Sequence, residues 1–168
     1  YDAAILDRPT LASLDEETRG LIAEHGLRNG CLTTIAPTGT ISLLAGNTSS
    51  GIEPVFAFSY QRRVRQQDNS FIEEPVQDYA LTLWRRLHGD APPPEHSFVS
   101  AQTLTPTDHL AMQATAQRFI DSSISKTVNC PEDIAFEEFS DIYARAFDLG
   151  CKGCTTYRPN AVTGSILS

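Results

Sequence analysis

The chain has 168 residues, 40% of them hydrophobic and 20% charged, which is the composition of a globular domain that can bury a real core. Its 13 Lys and Arg against 21 Asp and Glu give a net charge of −8, which argues against a general nucleic-acid or membrane-surface binder, since such binders rely on basic side chains. No apolar run reaches the ~18 residues of a membrane span and no secretory leader opens the chain, so we expect a cytoplasmic protein with no membrane partner.

The first predicted element is a helix that begins near residue 13 and ends at about His25. Residues 13–16 read Ser-Leu-Asp-Glu, a capping-box pattern, and Gly26 is a C-terminal stop signal. We expect Leu14, Leu21 and Ile22 to form the apolar stripe of this helix.

A strand, a tight turn and a short helix are predicted next. The strand covers 31–36, the turn reads Ala-Pro-Thr-Gly-Thr-Ile-Ser over 36–42, and the helix covers 41–45. The first N–H groups of a helix have no intrahelical acceptor and the helix dipole adds partial positive charge, so an anion, above all a phosphate, fits such a turn.

The residue types of the 36–42 turn suit this chemistry. Gly39 would let the backbone approach an anion closely, and the hydroxyls of Thr38, Thr40 and Ser42 could donate to its oxygens. The turn is not a Walker P-loop, because no Gly-Lys-Ser/Thr follows. A plain N-cap has the same pattern, so the turn alone leaves both interpretations open.

The middle of the chain is predicted to contain a strand and a long helix. The strand covers 55–60 and runs into the basic cluster 61–67, which we interpret as a solvated strand face rather than a nucleic-acid patch. The helix covers about 73–88. Tyr79 and Trp84 fall on its apolar stripe and are expected in the core.

Two further helices and two strands complete the chain. The helices are predicted over about 105–120, with Leu110, Ala114 and Phe119 inward, and over 134–149. Six residues would form the apolar face of the second helix: Phe136, Phe139, Ile142, Tyr143, Ala146 and Phe147. The strands are predicted over 125–129 and 152–157, and residues 159–168 are expected to form a loosely structured tail.

This order of elements predicts a single α/β domain over residues 1–168. Helices and strands alternate without an internal repeat, which is typical of mainly parallel strands joined by right-handed crossovers. About four strands are too few to close a barrel. Because the first residue is Tyr1, we expect the chain to be a piece of something longer.

Four motifs give the chain a family resemblance. Besides the 36–42 turn they are Gly-Ile-Glu-Pro at 51–54, Ser-Ile-Ser-Lys-Thr-Val-Asn at 123–129 and Gly-Cys-Lys-Gly-Cys-Thr-Thr-Tyr-Arg at 150–158. In this order, over about residues 29–158, the sequence resembles the adenosylcobalamin-dependent (class II) ribonucleotide reductases. The resemblance implies that the chain is the C-terminal part of a ten-stranded α/β barrel.

The resemblance also implies a reaction, a site and a cofactor. A thiyl radical derived from adenosylcobalamin abstracts hydrogen from the ribose, and the product is a deoxyribonucleotide. The expected partners are a ribonucleoside di- or triphosphate and the N-terminal portion of the reductase, in the same or a separate chain, with a homo-oligomer left open. The residues expected at the substrate phosphates are Pro37, Thr38, Gly39, Thr40 and Ile41.

The sequence also departs from the family. The radical cysteine of these reductases lies in an Asn-x-Cys-x-Glu motif, whereas Asn129-Cys130-Pro131-Glu132 has the wrong spacing and comes too late in the chain. We therefore interpret Cys130 as structural and assign no catalytic residue. Cys151 and Cys154 form a Cys-x-x-Cys pair without a second pair or nearby histidines, so no metal site is predicted. Whether these thiols have a redox role is left open.

Three interpretations follow from the sequence. The leading one is the phosphate-binding, C-terminal part of a ribonucleotide reductase, inactive by itself. The second is a non-catalytic nucleotide-binding or assembly protein derived from the reductase barrel. The third is a structural fragment whose turn binds nothing.

Overall fold

Helices and short strands make up the chain, which a computed structural model describes from residue 3 to residue 160. A 3-10 turn, Ala3–Asp7, precedes the first helix. The helices are α1 (Pro9–Ala12), α2 (Glu16–His25), α3 (Gly39–Leu44), α4 (Tyr79–His88), α5 (Pro106–Gln117) and α6 (Phe136–Asp148). The strands are β1 (Ser59–Arg65), β2 (Phe71–Gln77), β3 (Thr127–Asn129) and β4 (Thr155–Tyr157). No helix among these residues is both long and apolar enough to cross a bilayer.

The four strands form two small sheets. Strands β1 and β2 form an antiparallel hairpin in which Ser59 pairs with Gln77. Strands β3 and β4 pair in parallel, and Ile35 forms a parallel bridge with Ile124 just before β3. The predicted α/β class therefore agrees with the structure, but the predicted strands agree only in part, and the expectation of mainly parallel strands is wrong for the hairpin. The ten-stranded barrel is not visible in so few strands.

The hydrophobic core lies where α5 and α6 meet β3. Its buried residues are Leu110, Val128, Cys130, Ile142 and Ala146. Ile142 and Ala146 are four residues apart and therefore share one face of α6. The ends of the predicted apolar face do not join this core, since Phe136 and Phe147 are 77% and 80% exposed.

A polar stripe faces inward from α5. His109, Gln113 and Gln117 recur every four residues, lie on one face and are buried. The Gln113 amide donates to the Gly153 carbonyl at 2.7 Å, and the Gln117 amide donates to the Ser122 carbonyl at 2.9 Å. The stripe thus holds the loops that lead into β3 and β4.

The predicted inward residues of α5 need a correction. Leu110 is buried and Ala114 is half-buried, but Phe119 is 71% exposed. The helix begins at the predicted place, and the structure shows a complete capping box between Thr105 and Asp108 at its start. It ends at Gln117, so Phe119 lies beyond the last turn and does not continue the periodicity.

The N-terminal helix starts later than its capping-box pattern suggested. Asp15 is the N-cap, and its carboxylate accepts from the Thr18 amide at 2.8 Å. Leu14 therefore precedes the helix, and Leu21 is 53% exposed. Of the predicted stripe only Ile22 is buried.

The largest difference concerns residues 55–77. The strand predicted over 55–60 begins only at Ser59, and residues 71–77 form strand β2 instead of the start of a helix. Asp78 ends β2 and caps α4, because its carboxylate accepts from the Leu81 amide at 3.1 Å. Tyr79, expected in the core, is 49% exposed. Trp84, also expected in the core, is half-buried and makes an edge-to-face contact with Phe98.

The remaining boundaries differ by a few residues. Of the predicted strand 31–36 only Ile35 pairs, and the strands predicted over 125–129 and 152–157 shrink to three residues each. Of the predicted tail, residues 161–168 lie outside the described part of the chain. The single-domain assignment over 1–168 stays a prediction.

The core assignment predicts unequal costs for two leucine truncations. Leu110 is 1% exposed and Leu44 is 89% exposed. We expect Leu110→Ala to lower the free energy of unfolding by about 2–5 kcal/mol, because it leaves a cavity. Leu44→Ala should change it by no more than about 0.5 kcal/mol. Urea denaturation followed by circular dichroism measures both, and equal losses would contradict the core described above.

Candidate functional site

The 36–42 turn presents unpaired backbone donors. Thr38 has a left-handed backbone (φ 53°, ψ 23°), and α3 begins at the next residue. The first helical bond of this turn runs from the Ser42 amide to the Thr38 carbonyl at 2.9 Å. For the amides of Gly39, Thr40 and Ile41, here called the turn amides, the described residues provide no hydrogen-bond acceptor. All three residues are exposed, so these donors remain open to a ligand.

The hydroxyls of the turn are less free than the sequence suggested. The Thr38 hydroxyl accepts from the Gly51 amide at 2.7 Å and keeps its own proton for donation. The Ser42 hydroxyl instead donates to the Thr48 carbonyl, so its proton is not available to a ligand. Of the hydroxyls predicted to donate to an anion, those of Thr38 and Thr40 remain.

A cleft of about 440 Å³ lies next to the turn. Its walls come from the 47–57 segment, from β3 and from β4, and they are rich in hydroxyl and amide side chains, including Asn47, Thr48, Thr127, Asn129 and Thr156. Ser42 belongs to both the turn and the cleft. Pro37, Thr38, Gly39, Thr40 and Ile41 do not line it, so the turn adjoins the cleft from outside.

A buried lysine lies beneath the wall of the cleft. The Lys126 side chain is 1% exposed, and its ammonium donates to Glu53 at 2.6 Å, to His109 Nδ1 at 2.9 Å and to the Thr127 carbonyl at 2.7 Å. Three protons thus meet three acceptors, which is what a buried ammonium requires. Glu53 lines the cleft and is the carboxylate in this set.

His109 is neutral in this arrangement. Its Nε2 lies 3.1 Å from the Ala101 carbonyl, which can only accept, so Nε2 carries the proton and Nδ1 accepts from Lys126. Burial lowers the pKa of His109 below 6.5, and the adjacent Lys126 ammonium lowers it further. The imidazole therefore acts as a hydrogen-bond bridge between Lys126 and the 101 carbonyl.

Glu53 also connects the cleft wall to the parallel sheet. One carboxylate oxygen is held by Lys126, and the other accepts from the Thr127 amide at 2.5 Å. Neither the role of Glu53 nor the importance of Lys126 was predicted from the sequence. A period-two pattern could have found the lysine, because Ile124, Lys126 and Val128 alternate on the buried face.

The cysteines and the basic cluster belong neither to the turn nor to the lining of the cleft. Burial raises the pKa of Cys130, Cys151 and Cys154, so these thiols stay protonated. Within the described part of the chain no group of three or more His, Cys, Asp or Glu side chains could hold a metal ion. In the hairpin, Arg62 and Arg63 lie opposite Glu74 and Glu73, as expected of a solvated strand face.

Comparisons with known proteins converge on one family. Residues 12–157 match the family model described as ribonucleotide reductase, barrel domain. The chain is 38% identical over 158 residues to the vitamin B12-dependent ribonucleoside-diphosphate reductase of Thermoplasma acidophilum, which covers 84% of this chain and 20% of that protein. It is 34% identical over 160 residues to the protein of the same name from Mycobacterium tuberculosis, covering 84% of this chain and 22% of that protein.

Two further similarities agree. The vitamin B12-dependent ribonucleotide reductase of Streptantibioticus cattleyicolor is 32% identical over 189 residues, covering 97% of this chain and 32% of that protein. The chain thus spans about a fifth to a third of the length of these curated relatives. A crystal structure of a B-12 dependent (class II) ribonucleotide reductase aligns with a TM-score of 0.57 at 19% identity, over 80% of this chain and 20% of that chain. At this identity the alignment establishes a shared fold.

The lowered pKa of His109 predicts a pH-dependent stability. The unfolded chain binds the His109 proton more tightly than the folded chain, so the stabilisation is complete above about pH 6.5 and is lost as the pH falls towards the lowered pKa. We expect the free energy of unfolding to fall below pH 6.5 by up to about 1.4 kcal/mol per pH unit.

Denaturant titrations between pH 4.5 and 8 measure this slope. His109→Gln should flatten it, because an amide can make both hydrogen bonds without titrating. His25→Gln is the matched control, since the His25 side chain is 66% exposed. The assignment would be wrong if the slope disappeared in the His25 variant and persisted in the His109 variant.

Proposed function

The chain belongs to the ribonucleotide reductase family, as part of its barrel domain, and from this membership we propose that it binds the substrate phosphates in a reductase that converts ribonucleotides to deoxyribonucleotides. The observation that carries this proposal is the set of open turn amides in the 36–42 turn. Membership also confirms the resemblance that the sequence motifs indicated.

The turn amides supply the chemistry that phosphate binding needs. Three adjacent N–H donors at a helix start can surround phosphate oxygens, and the ends of the peptide dipoles favour negative charge there. No Lys or Arg occurs between Asn29 and Gln61, so a phosphate at the turn would be held by backbone donors and hydroxyls of this segment. A Cβ added at Gly39 would meet nothing within 4 Å, which leaves room for an anion to approach the backbone.

The substrate class is a ribonucleoside di- or triphosphate. The relatives from Thermoplasma acidophilum and Mycobacterium tuberculosis are named ribonucleoside-diphosphate reductases, which favours the diphosphate. The cleft beside the turn has the volume of a typical small-ligand site. With the phosphates on the turn amides, the nucleoside would extend along the hydroxyl- and amide-rich cleft wall.

The cofactor of the assembled reductase would be adenosylcobalamin, since the relatives are named vitamin B12-dependent. Bound to the enzyme, it would supply the radical. The described residues do not fit it, because a cleft of about 440 Å³ is far smaller than a corrin ring with its nucleotide and adenosyl groups. The remaining portion of the reductase would hold both the cofactor and the radical cysteine.

Exposed apolar side chains support a partner of this kind. Leu44, Phe119, Phe136 and Phe147 are large apolar side chains that are between 71% and 89% exposed. We infer that the N-terminal portion of the reductase, in the same or a separate chain, covers some of these side chains. The chain would then be inactive alone.

Reconstitution tests the proposed function. We expect no product from this chain alone, and deoxyribonucleotide when it is mixed with an N-terminal reductase portion, adenosylcobalamin, a dithiol and a ribonucleotide. Gly39→Val should lower kcat/KM by about tenfold or more, because its side chain obstructs the approach of phosphate to the turn amides. Product can be quantified by liquid chromatography.

Gly20→Val is the matched control. Gly20 is also helical, and a Cβ there would likewise meet nothing within 4 Å, so both variants should fold. If Gly39→Val kept full activity, the phosphate assignment would be wrong. If the wild-type mixture formed no product while the chain still bound ribonucleotide, the non-catalytic binding protein would be the better description.

A further inference from the structure

The loop that follows α3 makes direct contact with the phosphate turn. The Gly51 amide donates to the Thr38 hydroxyl at 2.7 Å, and the Ser42 hydroxyl donates to the Thr48 carbonyl. Gly51 has a φ of 56°, and a Cβ there would lie 3.0 Å from the Ala36 carbonyl oxygen, so only glycine fits this close approach. Residues 47–53, here called the 47–53 loop, therefore pack directly on the turn.

The far end of the 47–53 loop is fixed by Glu53. The Glu53 amide donates to the Ser50 carbonyl at 2.9 Å, which closes the loop on itself. The Glu53 carboxylate then reaches across to Lys126 and to the Thr127 amide. Each end of the loop is thus bonded, one to the turn and the other to the start of β3.

Burial of Lys126 makes this connection strong. The ammonium is fully enclosed, and its other two acceptors, His109 and the Thr127 carbonyl, are neutral. If the loop moved away, the buried lysine would lose the carboxylate that it pairs with, which is far more costly than losing a surface ion pair. The charge pair therefore opposes displacement of the loop.

Thr38 has a conformation that needs such support. A left-handed backbone is uncommon for a residue other than glycine, and for a β-branched residue it is a marked outlier that persists only where its surroundings impose it. The Gly51 amide holds the Thr38 side chain. Thr38 immediately precedes the turn amides, so its backbone angles set the direction in which those donors point.

Glu53 is badly suited to contact the phosphate itself. Both carboxylate oxygens already accept hydrogen bonds from Lys126 and the Thr127 amide, and its negative charge would repel an anion. Its contribution must therefore pass through the loop.

We propose that Glu53 is a positioning residue for the phosphate turn: held by Lys126 and by the Thr127 amide, it fixes the 47–53 loop, which holds Thr38 in the left-handed conformation that directs the turn amides outward. This inference rests on the proposed function for the identity of the ligand, a nucleotide phosphate. The coupling between Glu53 and the turn is inferred from the contacts alone and does not depend on the proposed function.

The test compares ADP binding by isothermal titration calorimetry in the wild type and three variants of the chain. Glu53→Ala removes the connection, and Glu53→Ala with Lys126→Met removes it without leaving an unpaired buried charge. We expect both to bind ADP about tenfold more weakly or worse. Glu95→Gln, a change of an exposed carboxylate, is the control and should bind like the wild type.

Hydrogen exchange of the Gly51 amide supplies a readout that does not need a ligand. The Gly51 backbone amide donates to Thr38 in the free protein, so it should exchange faster in both Glu53 variants. The backbone amide of Gln113 in α5 should keep its wild-type exchange rate. A general loss of stability would accelerate the exchange of both amides. Loss of positioning would accelerate the exchange of the Gly51 amide only. The double variant keeps the test valid if Glu53→Ala alone does not fold.

The outcomes separate the two proposals. A folded double variant with wild-type ADP affinity and wild-type Gly51 exchange would overturn the positioning role. If the wild-type chain did not bind ADP, the phosphate assignment would fail, and the exchange rate of Gly51 would still decide whether Glu53 controls the turn.

Discussion

The structure depends on Lys126, which is the one Lys or Arg that is buried among residues 3–160. Lys126 is enclosed between α5, the 47–53 loop and β3, and each of these supplies one acceptor to its ammonium. Removing one partner from such a buried pair typically costs about 3–5 kcal/mol, which is a large share of the stability of an ordinary domain. This constraint brings helix, loop and strand together at the edge of the cleft.

The same constraint organises charge around the candidate site. Glu53, the carboxylate that the described residues place on the cleft wall, is compensated by Lys126. The turn amides are exposed and have no acceptor among those residues. An anion would therefore meet N–H donors first, and the cleft with its hydroxyl and amide side chains lies beside it. Family membership supports the proposal that this arrangement binds a nucleotide phosphate, since both the turn and the Glu53 segment lie in the region that matches the family.

Local signals predicted part of this molecule well. The start of α5 near Thr105, the stop at Gly26 and the turn that leads into α3 rest on interactions within a few residues, and the structure contains all three. The strand predicted before that turn is reduced to one bridge at Ile35. The four ordered motifs also indicated the family. Of the site, the position of the 36–42 turn at a helix start could be predicted, and its phosphate ligand remains a proposal.

Interactions distant in sequence were missed. Residues 71–77 have an apolar spacing that also fits a helix, and only pairing with β1 makes them a strand. Lys126 was not singled out because its partners, Glu53 and His109, lie 73 and 17 residues away. The inward Gln113 and Gln117 contradict the rule that helices bury apolar residues, and only the loop carbonyls they satisfy explain them.

The most direct test of the central claim is a titration of the ¹⁵N-labelled chain with inorganic pyrophosphate, followed by amide chemical shifts. We expect the resonances of the turn amides of Gly39, Thr40 and Ile41 to shift most and to saturate together, while those of the Arg62 and Arg63 amides in the hairpin shift little. Shifts centred on the hairpin arginines, or no saturable shift at the turn, would contradict it.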